Sequence, residues 1–353
     1  MKRHMPMRRS LFALVLFSVS LSLCQAKGME EMPAPDWKSL EFTCSVEQFP
    51  PVDSEADVWF KQARVLEKLD QDANDAEMLR LYQQAVERGH YKAINNLALL
   101  YAEGMGVPRN EGKAVALIER LMKMGVAQGY YQMGIFLEQG VGVKRDKTAA
   151  LSYFRKAADM GNRYGQVAAG TALRNAFVQR PETERWHGYA VAVSMLECAL
   201  AQDNAEAGHL LGRHYLTFEK DTPRALEYFQ RAAALGYNDS FYKLYSLFKN
   251  GKDGAPKDPK RAACYYDLRK QLQAEPGKRF PDIDRLCPLP PPPARTGASG
   301  QPAPRVGQWH QIGNPAVMFR AARGDTLPLV QGAAVQWEWE ASSFISSIIA
   351  GQI

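Results

Sequence analysis

Five histidines lie beyond residue 26, at His90, His187, His209, His214 and His310. None stands in the His-Glu-x-x-His pattern that places two imidazoles on one helix face for zinc. His209 and His214 are five positions apart, so on a helix they point to different faces, and packing or solvent exposure accounts for them. No Ser or Cys occupies a nucleophile elbow, and no Cys-x-x-Cys pair occurs. Gly104-x-Gly106 and Gly140-x-Gly142 look like phosphate loops only at first sight, because no Gly-Lys-Ser/Thr follows and backbone geometry is the better use for them. No catalytic residue, metal or cofactor is therefore expected, and the chain is read as a non-enzyme.

The remaining chemistry is oxidation. Four cysteines follow residue 26 (Cys44, Cys198, Cys264 and Cys287), and an even set in an oxidising compartment allows three pairings. Cys264 falls early in a helical segment and Cys287 just beyond it, so a local bridge between them is one reading. The other is that Cys264, where an earlier segment carries Leu151, is a small core hydrophobe.

The elements that would position any binding residue come from a repeat. Gly104-Met105-Gly106-Val107 recurs as Gly140-Val141-Gly142-Val143, and Gly89, Gly125 and Gly161 recur at the same 36-residue step. Each unit holds an apolar-periodic segment (93–103, 129–139), the Gly-x-Gly-Val turn, a second helical segment (112–124, 147–160) and a closing glycine. Two helices per period predict an all-α fold, an α/α solenoid in which each hairpin buries its apolar face against its neighbours. An atypical leading hairpin is expected from residue 57, with helices near 58–69 and 76–88. The unit 162–204 lacks the turn motif and has Asp203 where the closing glycine should be. Units at 205–236 and 237–273 follow.

The domain reading is a signal peptide over 1–26, an extended leader over 27–56 lying on the first hairpin, and the repeat array over 57–287. A Pro-rich linker over 288–304 precedes an irregular tail over 305–353, for which a small β-rich cap, an aggregation-prone tail and an unselected sequence are all open. The first segment has a basic start, an apolar run Leu11 to Leu23 and small residues before a cut after Ala26. Those 13 residues are shorter than the roughly 20 a membrane span needs. No stable membrane span is expected, and the mature chain is placed in the periplasm; lipid attachment at Cys24 is disfavoured by the bulky Leu23 before it. The formal charge of +6 includes four basic residues of that segment, so the remainder carries +2, too little surplus for a nucleic-acid binder.

The motif Ala207-x-x-x-Leu211-Gly212-x-x-Tyr215, the turn Gly104-x-Gly106-Val107, and Arg224-Ala225-x-x-Tyr228-Phe229-x-x-Ala232-Ala233-x-x-Gly236 resemble the Sel-1-like repeat, a relative of the tetratricopeptide repeat. The resemblance covers roughly residues 57 to 290. With the exported start and the ending Ile283-Asp284-Arg285-Leu286-Cys287-Pro288-Leu289-Pro290-Pro291, it is similar to a subgroup of periplasmic immunity proteins of type VI secretion phospholipase effectors. That resemblance implies a protein partner, a secreted lipase-type toxin, held by occlusion. It also leaves an envelope adaptor or scaffold as an alternative. Enzymes of the family that act on β-lactams carry paired cysteines in each repeat, a pattern absent here.

Helical phase names the expected grip. If Ala-x-x-x-Leu-Gly-x-x-Tyr turns positions one, five and nine inward, positions three and seven face a concave surface. One row is Asn95, Tyr131, Val167, His209 and Tyr242; the other is Leu99, Ile135, Thr171, Arg213 and Ser246. The competing reading packs Leu99 and Ile135 against the next helix.

Overall fold

The computed structural model describes residues 34–69, 72–291, 296–298, 307–311, 314–321, 326–330, 334 and 336–339. Residues 1–39 form one unit and 40–353 another, and apart from residues 37–39 all that follows concerns the second. The signal peptide, Cys24 and much of the tail lie outside the described residues.

After one short turn, α1 (Trp37–Leu40), the helices run in antiparallel pairs. The leading hairpin is α2 (Ser54–Leu69) and α3 (Asp75–Glu87). Five units follow: α4 (Tyr91–Glu103) with α5 (Glu111–Lys123), α6 (Ala127–Gln139) with α7 (Lys147–Asp159), α8 (Arg163–Phe177) with α9 (Glu182–Ala201), α10 (Ala205–His214) with α11 (Thr222–Ala234), and α12 (Asn238–Asn250) with α13 (Pro259–Ala274). Helix contacts run almost entirely between consecutive helices, which makes the array an all-helical solenoid. The leading helix starts at Ser54, earlier than the expected 57, because the Asp53 carboxylate accepts the Ala56 amide at 2.9 Å and caps it.

The repeat is written into the helix ends. Asn110, Asp146, Asp221 and Asp258 each cap the second helix of a unit by accepting an amide three residues on, at 2.9, 2.9, 3.1 and 2.9 Å. His90, Asn162 and Asn204 do the same for first helices. Each such cap contributes about 1 kcal/mol. At the turn, Gly142 has φ +64°, its amide donates to the Glu111 carboxylate of the preceding unit at 2.8 Å, and an added Cβ would meet Glu111 O at 2.8 Å. Only glycine satisfies the left-handed φ and the close approach together. In the third unit Asp203 takes the closing position at φ +60°, so the left-handed stop survives the loss of its glycine; Asp is among the few side chains that tolerate it.

Between helices, small residues meet rings. A Cβ on Gly134 would lie 2.5 Å from the Phe154 ring, and one on Gly212 would lie 2.6 Å from Phe229, so the glycine after Met133 or Leu211 is a socket for the partner helix's aromatic. Tyr82, Phe136, Phe229, Phe241, Phe248 and Tyr265 are fully buried along the array, each contributing about 1.5–3 kcal/mol of apolar burial. The last hairpin is closed by α14 (Ile283–Leu286): Gln230 bonds both Asp284 and Tyr265, the Tyr265 hydroxyl donates to Cys287 O at 3.0 Å, and Cys264 is disulfide-bonded to Cys287.

Of the three readings left open for the tail, its described residues follow the β-rich one, and the first strand falls within the stretch read as a Pro-rich linker. They form a four-stranded antiparallel sheet in the order β1 (Thr296–Ala298), β4 (Gln336–Trp339), β2 (Gly307–Gln311), β3 (Asn314–Ala321). Buried Trp337 donates its indole N–H to Pro328 O at 3.0 Å, and the backbone register sets Trp309 opposite Phe319 on one side and opposite Trp339 on the other.

Candidate partner-binding surface

The leader does not lie on the first hairpin as expected. Residues 41–49 run extended across the starts of α6 and α8 and the end of α9, because polar side chains there capture its backbone. Ser45 O accepts Gln166 Nε2 at 3.1 Å and Gln202 Nε2 at 3.4 Å, while Ser45 Oγ donates to Asp159 O at 3.0 Å. The Glu47 carboxylate accepts the Gln128 amide at 3.0 Å and Asn162 Nδ2 at 2.7 Å. Arg155 holds Leu40 O and Glu41 O, Phe49 stacks on Tyr91 at 5.1 Å, and Cys44 is disulfide-bonded to Cys198. Burial raises the Glu47 carboxyl above its ordinary range, against the opposing bonds from Asn162 and Gln128.

This strap forms one wall of a groove of about 570 Å³, whose other wall carries Arg64, Tyr91, Lys92, Asn95, Asn96 and Arg163. Phe42 of the strap packs in the cluster that also takes Tyr131 and Ile135. The strap therefore runs beside the rows expected to face a partner.

Those rows are not a uniformly free face. Val167 is 7% exposed and sits in the core with Leu196 and Leu200, which removes it as a contact residue. Leu99 and Ile135 are half-buried against the core, as the competing reading had them. The Tyr131 ring lies 5.8 Å from Phe154 and 5.7 Å from Tyr164 of the next unit, and burial raises its hydroxyl pKa. His209 Nδ1 is 3.0 Å from Ser240 Oγ with Phe229 and Tyr237 against its ring; burial brings it down to about 4, so it is neutral at pH 7. Asn95 lines the groove, and its Oδ1 is buried without a partner, as is Thr171 Oγ1. Ser246 is half-buried and its carbonyl accepts Asn250 Nδ2 at 3.0 Å. Only Arg213 and Tyr242 are fully presented. The physical reason is that side chains at position three reach the following unit before they meet solvent, as Tyr131 reaches Tyr164 and His209 reaches Ser240.

Two further groups complete the surface. Tyr242, Tyr245 and Tyr266 form a ladder at 6.4 and 5.5 Å, with Arg269 over Tyr242 at 5.3 Å, Lys249 over Tyr245 at 5.1 Å and Lys270 over Tyr266 at 4.5 Å. Tyr242 and Tyr266 are exposed, and exposed tyrosines under cations are the composition from which interface hot spots are drawn. The second is Arg174 on α8 and Arg185 on α9, both half-buried, whose charges reach the buried Tyr189 hydroxyl; helical phase in a unit without its turn motif gave no way to find them. Among the described residues no group of three His, Cys, Asp or Glu side chains could hold a metal, and no helix is long and apolar enough to cross a membrane.

The helical array with its glycine turns is a class of scaffold that recognises other macromolecules. The Sel1 repeat profile matches residues 92–125, 127–162, 205–237 and 246–268, passing over the third unit. Immunity protein Pa5087 from Pseudomonas aeruginosa is 31% identical with a TM-score of 0.56, over 71% of this chain and 95% of its own. Immunity protein PA5088 from the same organism is 29% identical at a TM-score of 0.58, over 71% and 94%. P. aeruginosa protein PA5086 is 30% identical at 0.56, over 71% and 95%. This chain belongs to the Sel1 repeat family. A search of curated protein sequences returned no match. The two disulfides are the chemistry of an oxidising compartment.

Proposed function

We propose that this protein is a periplasmic immunity protein that binds a secreted phospholipase-type toxin of a type VI secretion system and blocks it by stoichiometric occlusion. The observation that carries the reading is the similarity, at about 30% identity over nearly their whole length, to immunity proteins. The paired cysteines support the compartment, and the strap-walled groove with Arg213 and Tyr242 supports a surface built to hold a folded protein. The toxin's substrate is kept out because the array covers the entrance, with no chemistry required of the array.

The test is protection. The full chain, with residues 1–26 directing export, should rescue cells that receive in the periplasm a secreted lipase encoded beside this protein's gene (the neighbouring lipase), and the chain without those residues should not. Equal rescue by both would sink the compartment. No rescue and no complex on size exclusion with that lipase would favour an envelope scaffold instead.

A further inference from the structure

The last hairpin follows the plan of the earlier ones with two core positions changed. Three residues on from Tyr131 and His209 stand the socket glycines Gly134 and Gly212; three on from Tyr242 stands Tyr245. Eight residues on from the capping Asp146 and Asp221 stand Phe154 and Phe229; eight on from Asp258 stands Tyr266. In the second and fourth units the glycine makes room for the ring, and Phe154 and Phe229 are 4% and 0% exposed. In the fifth, Tyr245 takes that place with a ring of its own, packed 5.5 Å from Tyr266, and Tyr266 stands 41% exposed. A glycine socket and its buried ring have become a pair of tyrosines that reaches the surface.

Tyr242, 53% exposed and 6.4 Å from Tyr245, extends the pair into one strip across α12 and α13. The strip holds its cations in place. Lys249 and Lys270 each stand four residues after the tyrosine they cover, at 5.1 and 4.5 Å from the ring, where one turn of helix brings them. Arg269 crosses from α13 to Tyr242 on α12 at 5.3 Å. Lys249 Nζ donates to the Tyr245 hydroxyl at 2.8 Å, and Arg269 Nε donates to Asn238 Oδ1 at 3.0 Å. Lys243 of the same hairpin is answered by Asp253 at 3.8 Å, but among the described residues Lys249, Arg269 and Lys270 make no ion pair. Three positive charges are thus fixed over rings without a carboxylate to meet them.

We propose that this strip is a second contact face for the bound protein, separate from the strap-walled groove, and that it takes a patch of aspartate and glutamate side chains. The proposal rests on the partner being a protein, and it names the chemistry that partner presents. Carboxylates complement the three uncompensated cations, and tyrosine rings offer large, rigid contact area with few torsions to freeze. Cations already seated on rings and hydroxyls lose less freedom on binding than free side chains do. Like charge keeps a second copy of the same strip away, and the +2 charge left outside the first 26 residues is too small for the broad basic surface that nucleic acid or an anionic membrane requires. An end cap serving solubility alone needs a polar outer face, which exposed rings do not supply.

The test uses the exported, disulfide-bonded chain, its K249Q/R269Q/K270Q and Y242S/Y266S variants, the charge-keeping K249R/K270R, and a K156Q control on the exposed face of α7, each shown folded by circular dichroism at the assay temperature. In calorimetry with poly-aspartate, K249Q/R269Q/K270Q should bind about tenfold more weakly than the wild type, while K249R/K270R and K156Q bind like it. Equal binding by the wild type and the triple variant overturns the strip. With the neighbouring lipase, the triple variant and Y242S/Y266S should each lose about tenfold in affinity, and added salt should weaken the wild type more steeply than the triple variant. Undiminished lipase affinity of the triple variant overturns the contact face while leaving the immunity reading intact. Wild-type failure to bind that lipase, with the poly-aspartate result standing, removes the immunity reading and keeps the acid-binding strip. Sedimentation of the wild type but not the triple variant with phosphatidylglycerol vesicles, at unchanged lipase affinity, overturns the protein assignment in favour of a membrane surface.

Discussion

The carboxylate of Glu47 accepts the side-chain amide of Asn162 at 2.7 Å, so one residue of the strap is fixed by the residue that starts α8. Asn162 serves two purposes, since its Oδ1 accepts the Gly165 amide at 2.8 Å while its Nδ2 faces Glu47 and Gln128 Oε1. Asp at this position would keep the cap and lose the donor, setting a second carboxylate against Glu47. N162D should therefore cost about 2–3 kcal/mol through the strap alone, and N162A about 1 kcal/mol more through the lost cap. Urea unfolding reads both. In an E47Q background the N162D penalty should shrink, and an unchanged penalty would show that the two residues are not coupled.

The strap also explains why two glycines of the same repeat position should respond differently. Gly125 and Gly161 both close a second helix with positive φ, at +73° and +88°. A Cβ at Gly125 meets nothing within 4 Å, whereas at Gly161 it would lie 2.4 Å from Glu47 N and 2.4 Å from Val46 C. G125A should cost about 1 kcal/mol from backbone strain alone. G161A must in addition displace the strap, so it should cost measurably more and open residues 41–49 to protease. Identical midpoints for the two variants would mean that the strap is not seated there.

How much of this was legible follows from where the information lies. The turn and closing glycines recur at a 36-residue step, so the hairpins were directly legible, whereas the Asn and Asp caps and the glycine sockets under Phe154 and Phe229 showed only in the structure. The strap was not legible, because Ser45 and Glu47 bind residues 81 to 157 positions away and their own neighbours carry no period. The same limit applied to the grip. Phase on a single helix separates inside from outside, but it cannot say that Tyr131 reaches Tyr164 of the next unit or that Val167 closes against Leu196. Arg174 and Tyr189 were invisible for a further reason: the third unit keeps the hairpin and discards the motif that would have set their register.

His209 gives the array a pH dependence of known sign. Burial lowers its pKa to about 4, below the ordinary 6.5, with Asp239 opposing and Arg213 and Lys243 reinforcing. A depressed pKa means the unfolded chain binds the proton more readily than the folded one. The stability tied to neutral His209 is thus complete above pH 6.5 and is lost as pH falls through about 4. H209Q can keep the bond to Ser240 without titrating, so between pH 6.5 and 4 its stability should decline less steeply than the wild type's. Parallel declines would show that His209 is solvated.

Glu197 should act in the opposite direction. It is half-buried on α9, where partial burial raises its carboxyl above the ordinary 4.5 although the Tyr228 hydroxyl donates to it. With the folded pKa above the unfolded one, its contribution is complete below pH 4.5 and is lost as pH rises through the higher folded value. E197Q retains an acceptor for Tyr228 and should remove that part of the decline. Chemical unfolding from pH 4 to 8 should show a flatter profile for E197Q, and coincident profiles would rule out a buried charge.

The two disulfides should contribute unequally, and the larger effect should reach the binding surface. Cys44–Cys198 closes a loop of 154 residues and Cys264–Cys287 one of 23. Restricting the unfolded chain is worth roughly 5 kcal/mol for the longer loop and about 3 kcal/mol for the shorter. C44S/C198S should therefore lower the thermal midpoint more than C264S/C287S. The first bridge also fixes the strap beside Val46 and Glu47, which form a wall of the groove, whereas the second only closes the last hairpin. Reductant should accordingly weaken capture of the neighbouring lipase by the wild type and by C264S/C287S, and leave C44S/C198S unaffected beyond its already reduced binding. If C44S/C198S binds as tightly as the wild type, the strap is a staple for stability alone, and the groove it walls takes no part in holding the partner.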